Sequence, residues 1–315
     1  MIFIKYLLDL IMMKQWLKVA LLSVVPVAAS AHSMSPFILP EVFDTTANNI
    51  TFQSAVTIEK FFVPSMNFKS DYLITAPNGQ QQKVQAAANL KRFNIAEFDL
   101  SDEGTYRIRT DNAVANSMKY ALIDGNWLVI RMPRPQQAKP DTTKAEAERK
   151  PTADEKVGAK MATKPMQPPR MIMADQVPAN AKTIEVKNHL IAESFVTKTR
   201  PSPVPAVSNK GFEVKLLTHP NELYVGEALK AQVLNNGKGV ANLELEVFKG
   251  ASSYQVGAKR EMPSVKTNNK GEFEVKFDQA GLYLITTSYP EANSDRSKKP
   301  AEDRYTYGLT VEVTE

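Results

Sequence analysis

The chain has 315 residues, a formal net charge of +5 at pH 7 and no cysteine. The lack of cysteine excludes disulfide bonds, thiolate metal sites, iron–sulfur clusters and cysteine nucleophiles. The stretch from Arg134 to Lys182 holds ten Lys/Arg and six Asp/Glu, so most of the basic excess lies in one segment. Because a nucleic-acid-binding protein concentrates its basic residues on a folded face, we expect no nucleic-acid partner.

Residues 1–31 have the features of a signal peptide. An apolar run from Val19 to Val27 follows two lysines, and Ala29 and Ala31 are the small residues that signal peptidase recognises. We expect translation to start at Met13. A membrane anchor needs about 20 continuous apolar residues, and no such run is present. The mature chain is therefore predicted to be a soluble periplasmic protein that does not span the membrane.

Cleavage after Ala31 makes His32 the first residue of the mature protein. A histidine at a free N-terminus binds a metal ion through its α-amine and its imidazole ring together, which no internal histidine does. The sequence therefore combines an export signal with a candidate metal ligand at one residue. The alternative is that cleavage falls at a histidine by coincidence.

Residues 32–132 have the pattern of an N-terminal β-sandwich. Apolar and polar side chains alternate over short segments that turn residues separate, as expected for half-buried strands. The predicted strands are Ile50–Ile58, Tyr72–Thr75, Phe93–Leu100, Thr105–Arg109 and Trp127–Ile130.

Residues 133–181 form a low-complexity segment rich in Pro, Lys, Ala, Thr and Glu. Such a composition buries too little apolar surface to offset the entropy of ordering, so we predict a disordered linker. Its prolines favour an extended and semi-stiff tether.

Residues 182–315 repeat the strand pattern and are predicted to form a C-terminal β-sandwich. The predicted strands are Gly211–Leu217, Leu223–Leu234, Leu243–Phe248, Glu272–Phe277, Leu282–Thr287 and Tyr305–Val313. The fold class is therefore all-β, with two immunoglobulin-like antiparallel β-sandwich domains joined by the linker.

Four stretches resemble an exported family of unknown function whose members are often described as periplasmic components of nickel or cobalt uptake (NikM-like). These are Ala31-His32 followed by Ile38–Pro40, Glu193–Thr197, Thr218–Leu223, and Asn269–Phe273 running on to Ala280–Tyr283. The resemblance is best from about residue 182 to 313. Relatives commonly have a tryptophan shortly after the N-terminal histidine, whereas this chain has Met34 to Phe37. The resemblance implies a periplasmic β-sandwich protein that handles divalent metal ions.

The candidate metal ligands are His32, His219, His189 and Glu222. Imidazole suits nickel, cobalt, copper and zinc, and the chain has only three histidines. His32 is the first candidate, whereas loop hydrogen bonding and a structural or surface role are the alternatives for His219 and His189. Glu222 is a carboxylate close to His219 in the sequence.

Copper is a further alternative. Met161, Met166, Met171 and Met173 lie in the linker, and thioethers suit Cu(I). These methionines also fit a segment that docks on a partner or has no specific role. A copper oxidase with an N-terminal histidine would need His219 or His189 to complete its site.

No catalytic arrangement is evident, since the chain has no nucleophile-elbow serine, phosphate-binding glycine loop or zinc-protease helix. The sequence predicts a non-enzymatic protein without an organic cofactor. It would bind nickel, cobalt or copper and deliver the ion to a membrane uptake component or an outer-membrane receptor. The alternative is a structural or adhesive interaction module without a specific metal.

Overall fold

The computed structural model describes residues 34–58, 63–111, 113–132, 171–250, 261–291 and 295–315. The predicted signal peptide, His32 and linker residues 133–170 lie outside these ranges. Residues 34–315 belong to one compact unit. Within the described ranges, no helix has the length and apolar character needed to cross a membrane.

The N-terminal sheet forms from alternating segments that bury one face. In strand β3, Asn49–Thr57, Ile50 and Phe52 are buried, whereas the residues between and beside them are more exposed. The order of its strands is β1-β3-β7-β6. Their bounds are β1 Ser35–Pro40, β3 Asn49–Thr57, β6 Ala88–Asn89 and β7 Asn94–Asp99.

The central sheet contains strands from both halves of the chain. Its main order is β11-β10-β9-β12-β20-β19-β16-β17; β2 and β8 pair with β12, β4 pairs with β8, and β5 pairs with β4. The bounds are β2 Asp44–Thr45, β4 Asp71–Thr75, β5 Gln81–Val84, β8 Gly104–Asp111, β9 Val114–Ile123, β10 Asn126–Arg131, β11 Met171–Met173, β12 Thr183–Lys198, β16 Glu244–Lys249, β17 Glu261–Lys266, β19 Gly281–Tyr289 and β20 Asp303–Val313.

In the C-terminal sheet, β13 pairs with one side of β14, and β15 and β18 pair with different parts of its other side. Its strands are β13 Phe212–Leu216, β14 Ala228–Asn235, β15 Lys238–Gly239 and β18 Glu272–Lys276. Val214, Val233 and Phe273 are buried in the hydrophobic core that this sheet shares with β12, β19 and β20.

Strand β12 contributes to two hydrophobic cores because successive side chains on a strand point to opposite faces. Leu190, Ala192 and Val196 lie in the core of the N-terminal half. Ile191 and Phe195 lie in the core of the C-terminal half. The two predicted halves therefore have separate cores but share one strand.

Strand β1 packs closely on the central sheet. Pro36 crosses β20 at Gly308, where an added Cβ would come within 1.9 Å of the Pro36 carbonyl oxygen. Phe37 joins Leu284 in a third small core. Glycine at position 308 is thus what allows the first strand to approach the sheet.

The all-β sandwich prediction is confirmed, and two of its details need correction. Strand pairing is not purely antiparallel, because β12 pairs in parallel with β20, and these strands are far apart in the sequence. The end of the predicted linker is ordered: β11 pairs in parallel with β10, and a short 3-10 helix, Ala174–Gln176, follows it. The composition alone predicted that the entropy cost of ordering would keep these residues disordered. The backbone hydrogen bonds to β10 offset that cost.

Candidate functional site

His219 lies in the loop between β13 and β14, with both ring nitrogens engaged. Its Nε2 lies 3.1 Å from the Ser202 carbonyl oxygen and 2.9 Å from Thr105 Oγ1. The backbone N–H of Asn221 donates to Nδ1 at 3.3 Å. Because a carbonyl only accepts, these contacts assign the proton to Nε2 and a loop-fixing role to the ring.

Carboxylates surround His219 on one side. Glu222 Oε2 lies 3.7 Å from His219 Nδ1, so the structure brings this predicted pair together. Burial raises the pKa of Asp44, His219 opposes that rise, and the charge of Glu222 adds to it. Burial and the charge of Asp44 likewise raise the pKa of Glu312. Asp44 and Glu312 are therefore partly desolvated carboxylates that influence each other, and of the three acidic side chains only Glu222 has a short contact with the His219 ring.

His189 is in a different environment, on strand β12. Its Nε2 lies 2.7 Å from Asp303 Oδ1, and its ring stacks on Tyr305 with 5.0 Å between centroids. A side chain held by a carboxylate and an aromatic face has a structural explanation without a metal ion.

The two described histidines do not converge. His219 contacts Thr105, which pairs with Thr197 on β12, whereas His189 lies eight residues earlier on the same strand. Eight residues of strand span about 26 Å, too far for shared ligation. Across the described residues, no three His, Asp or Glu side chains are grouped so that they could hold a metal ion.

His32 itself lies outside the described residues, but the strand it leads into is fixed. Ser35 Oγ lies 3.2 Å from Thr286 Oγ1, and Glu246 is the direct cross-strand partner of Thr286. Direct partners in an antiparallel ladder project from the same face. The Thr286 side chain that adjoins Ser35 therefore projects from the same face of the central sheet as Glu246.

The structure also contains a buried charge network that sequence reasoning missed. Glu193 is fully buried and accepts from Arg107 at Nε (2.9 Å) and Nη2 (3.0 Å) and from Arg109 Nη1 (2.9 Å). Burial disfavours the charged form of Arg107, but the Glu193 carboxylate outweighs this effect and the pKa of Arg107 is raised. The Arg107 guanidinium is therefore ionised in the interior.

Glu213 and Tyr307 complete this network on the C-terminal side. Glu213 Oε1 accepts from the Ser208 backbone and hydroxyl at 2.8 and 3.0 Å and lies 4.0 Å from Arg107 Nη1. Burial, with the charge of Glu193, raises the pKa of Tyr307 well above its ordinary value, so its phenol stays protonated. A cavity of about 450 Å³ borders Arg107 and is lined mostly by apolar side chains such as Phe195 and Val214. The network links the two halves of the chain and contains no nucleophile with an adjacent base.

Two signals in the sequence indicate this network in retrospect. Arg107 and Arg109 are two residues apart on a strand, so they project from one face. Glu193 lies in the apolar stretch from Leu190 to Val196, where a charge requires a partner. The positions of these partners depend on long-range strand pairing, which local patterns do not give.

A family model described as "Domain of unknown function (DUF4198)" matches residues 29–291. No curated protein matches the chain. Solved structures with similarity include the D0-D1 domain of Intimin (10% identity, 88% of this chain and 97% of that chain, TM-score 0.21). A marsupial T cell receptor gives 10% identity over 90% of this chain and 73% of that chain, with a TM-score of 0.21. The D00-D0 domain of Intimin gives 10% identity over 89% and 100%, with a TM-score of 0.20. At these TM-scores the likenesses carry no argument.

Proposed function

Because the chain belongs to the DUF4198 family, whose function is unknown, we propose a function from its own residues: it is an exported protein that binds a divalent transition-metal ion. It acts by binding and delivery, with nickel or cobalt as cargo and a membrane uptake component or outer-membrane receptor as the recipient. No catalytic step is part of this function.

The predicted cleavage point is the observation that carries the proposal. It makes His32 the first residue of the mature protein, with its α-amine and its imidazole on one residue. Two ligands on one residue lower the entropy cost of assembling a metal site. The first described strand follows closely, since Ser35 is buried and adjoins Thr286 on the central sheet.

The chemistry of this ligand set suits borderline metal ions. The two nitrogens of His32 leave further positions for water or for a recipient's ligand, as delivery requires. Affinity of such a site follows the general order in which copper exceeds nickel, cobalt and zinc, so supply decides which ion is carried. The α-amine must lose its proton to bind, so binding releases protons near neutral pH.

His219, His189 and Glu222 are not part of the proposed site. The ring nitrogens of His219 hydrogen-bond to Thr105, Ser202 and Asn221, and His189 pairs with Asp303. Ligation by either histidine would break these contacts. They support the hydrogen-bonding alternatives that the sequence left open.

The test uses the exported form of the full precursor, whose N-terminal residue is first determined by mass. Calorimetric titration with Ni²⁺, Co²⁺, Cu²⁺ and Zn²⁺ is expected to give one site that His32→Ala abolishes. His189→Gln, which alters another histidine, is the matched control and should bind as the parent protein does. Cleavage at another position, or binding indifferent to His32→Ala, would overturn the proposal.

A second candidate function is an interaction module without a specific metal. Leu217, Tyr224 and Val225 are exposed apolar residues within one loop between β13 and β14, with exposed fractions of 54%, 45% and 39%. Exposed apolar side chains within one loop favour a protein contact. A photo-crosslinker at position 224, compared with one at exposed Lys270, tests this function in cells: a specific adduct at 224 alone supports it, and equal labelling contradicts it.

A further inference from the structure

A pocket of about 560 Å³ lies where the segment after β19 passes strands β9 and β10. The backbone N–H of Trp127 donates to the Arg296 carbonyl oxygen at 2.8 Å, which fixes this segment against β10. The volume falls within the range of small-molecule sites, about 300–1,000 Å³. The pocket is far in the sequence from His32 and uses none of the candidate metal ligands.

Two aromatic side chains share one wall of the pocket. Trp127 pairs with Leu122 across the β9–β10 ladder, and Tyr120 lies two residues from Leu122 on the same strand. Residues two apart on a strand project from one face, so Tyr120 and Trp127 face the same way. Both side chains line the pocket and are half-buried. Such rings offer an apolar face and a polar tip to one ligand.

The rest of the pocket lining is largely charged and mixed in sign. The lining residues include four basic side chains, Arg296, Lys298, Lys299 and Arg304, and two acidic ones, Glu291 and Asp295. The net charge of the lining is therefore +2. Lys299 Nζ lies 3.0 Å from Glu302 Oε1, and Lys298 Nζ lies 3.9 Å from Asp295 Oδ2.

Asp295 remains ionised and oriented within this group. The Ser297 hydroxyl and backbone N–H donate to its Oδ1 at 2.6 and 3.1 Å, and these hydrogen bonds lower its pKa. The pocket thus presents fixed acceptors as well as cationic donors.

From this geometry we infer that the pocket binds an anionic saccharide, a sugar that carries a carboxylate. The sugar ring packs on Trp127 and Tyr120, its carboxylate pairs with Arg304 and Lys298, and its hydroxyls donate to Glu291 and Asp295. The two acidic side chains favour a hydroxyl-rich ligand of low charge. They would repel the closely spaced phosphates of a nucleic acid.

The test exploits the tryptophan content of the exported protein. The chain has two tryptophans, and Trp16 lies in the predicted signal peptide, so Trp127 reports alone after cleavage. Digalacturonate, added in the presence of EDTA, should give a saturable change in fluorescence. Cellobiose, a neutral disaccharide, should bind at least about tenfold more weakly. Because EDTA removes free metal ions, binding or its absence in this experiment does not bear on the metal-binding proposal.

Variants test the assigned contacts. Lys298→Gln changes an exposed side chain and preserves folding, and together with Arg304→Gln it should weaken digalacturonate binding at least about tenfold. Lys210→Gln, an exposed lysine outside the pocket, should leave binding unchanged. Absence of a saturable signal, equal binding of both disaccharides, or tighter binding of a single-stranded oligonucleotide would overturn the inference.

Discussion

Arg107 and Glu193 form a bidentate ion pair inside the protein. Nε and Nη2 of the guanidinium lie 2.9 and 3.0 Å from the two carboxylate oxygens, and the side chains are 6% and 0% exposed. Arg107 comes from β8 and Glu193 from β12, the strand that serves both cores. The pair therefore joins elements on either side of the predicted linker.

Removing the charge of Glu193 should destabilise the protein strongly. Glu193→Gln removes the carboxylate that accepts from both Arg107 and Arg109 and leaves Arg107 with only Glu213, 4.0 Å away. Breaking a buried ion pair costs about 3–5 kcal/mol. Urea unfolding at pH 7 measures the loss. Glu302→Gln is the control: its partner is Lys299 and both are exposed, so the change should stay within about 0.5 kcal/mol. Equal losses in the free energy of unfolding for the two substitutions would contradict a stabilising role of the buried network.

Gly308→Ala should displace strand β1. The new Cβ would lie 1.9 Å from the Pro36 carbonyl oxygen, so strand and sheet must separate. We expect a loss of about 3 kcal/mol in the free energy of unfolding and faster hydrogen exchange in β1. Gly125→Ala meets no atom within 4 Å but has a φ of +76°, and should cost about 1 kcal/mol. Unchanged exchange in β1 would contradict this packing.

Asp44 and Glu312 should make stability fall as pH rises through the acidic range. Their pKa values are raised in the folded protein, mainly by burial, so the folded state binds more protons than the unfolded state. Their contribution to stability is largest below their ordinary carboxyl pKa values and declines until pH exceeds the raised values. Asp44→Asn should flatten this dependence and stabilise the protein at pH 7 relative to pH 4.

The measurement for Asp44 is the difference in urea midpoint between pH 4 and pH 7 in the parent protein and in Asp44→Asn. Asp99→Asn, which changes an exposed aspartate on β7, serves as the control. A parent and an Asp44→Asn protein with identical pH dependence would show that this carboxyl group is not desolvated.

The sequence predicts those strands whose local pattern matches their burial. Ile50 and Phe52 alternate with polar residues, and the observed β3 coincides with the predicted strand to within one residue at each end. Strand β1 was missed because both of its faces are covered, so its sequence from Ser35 to Pro40 shows no alternation and contains two prolines. Sheet order was also beyond local patterns, since β12 pairs with β20 more than a hundred residues away.

The candidate sites were predictable to different degrees. The closeness of His219 and Glu222 follows from three residues of loop. The separation of His189 from His219 and the convergence of Arg107, Arg109 and Glu193 depend on strand register, which requires the whole fold.

In the proposed function, the α-amine and the imidazole of His32 bind one metal ion together. The most direct measurement compares two proteins that differ by one residue: the exported form that starts at His32, and a form with an additional methionine in front of it. Both retain the imidazole, but only the first has its amine on the same residue. Nickel titration should show an affinity at least about a hundredfold higher for the first form, a difference of about 2.7 kcal/mol. Equal nickel affinities of the two forms would show that the α-amine of His32 takes no part in binding.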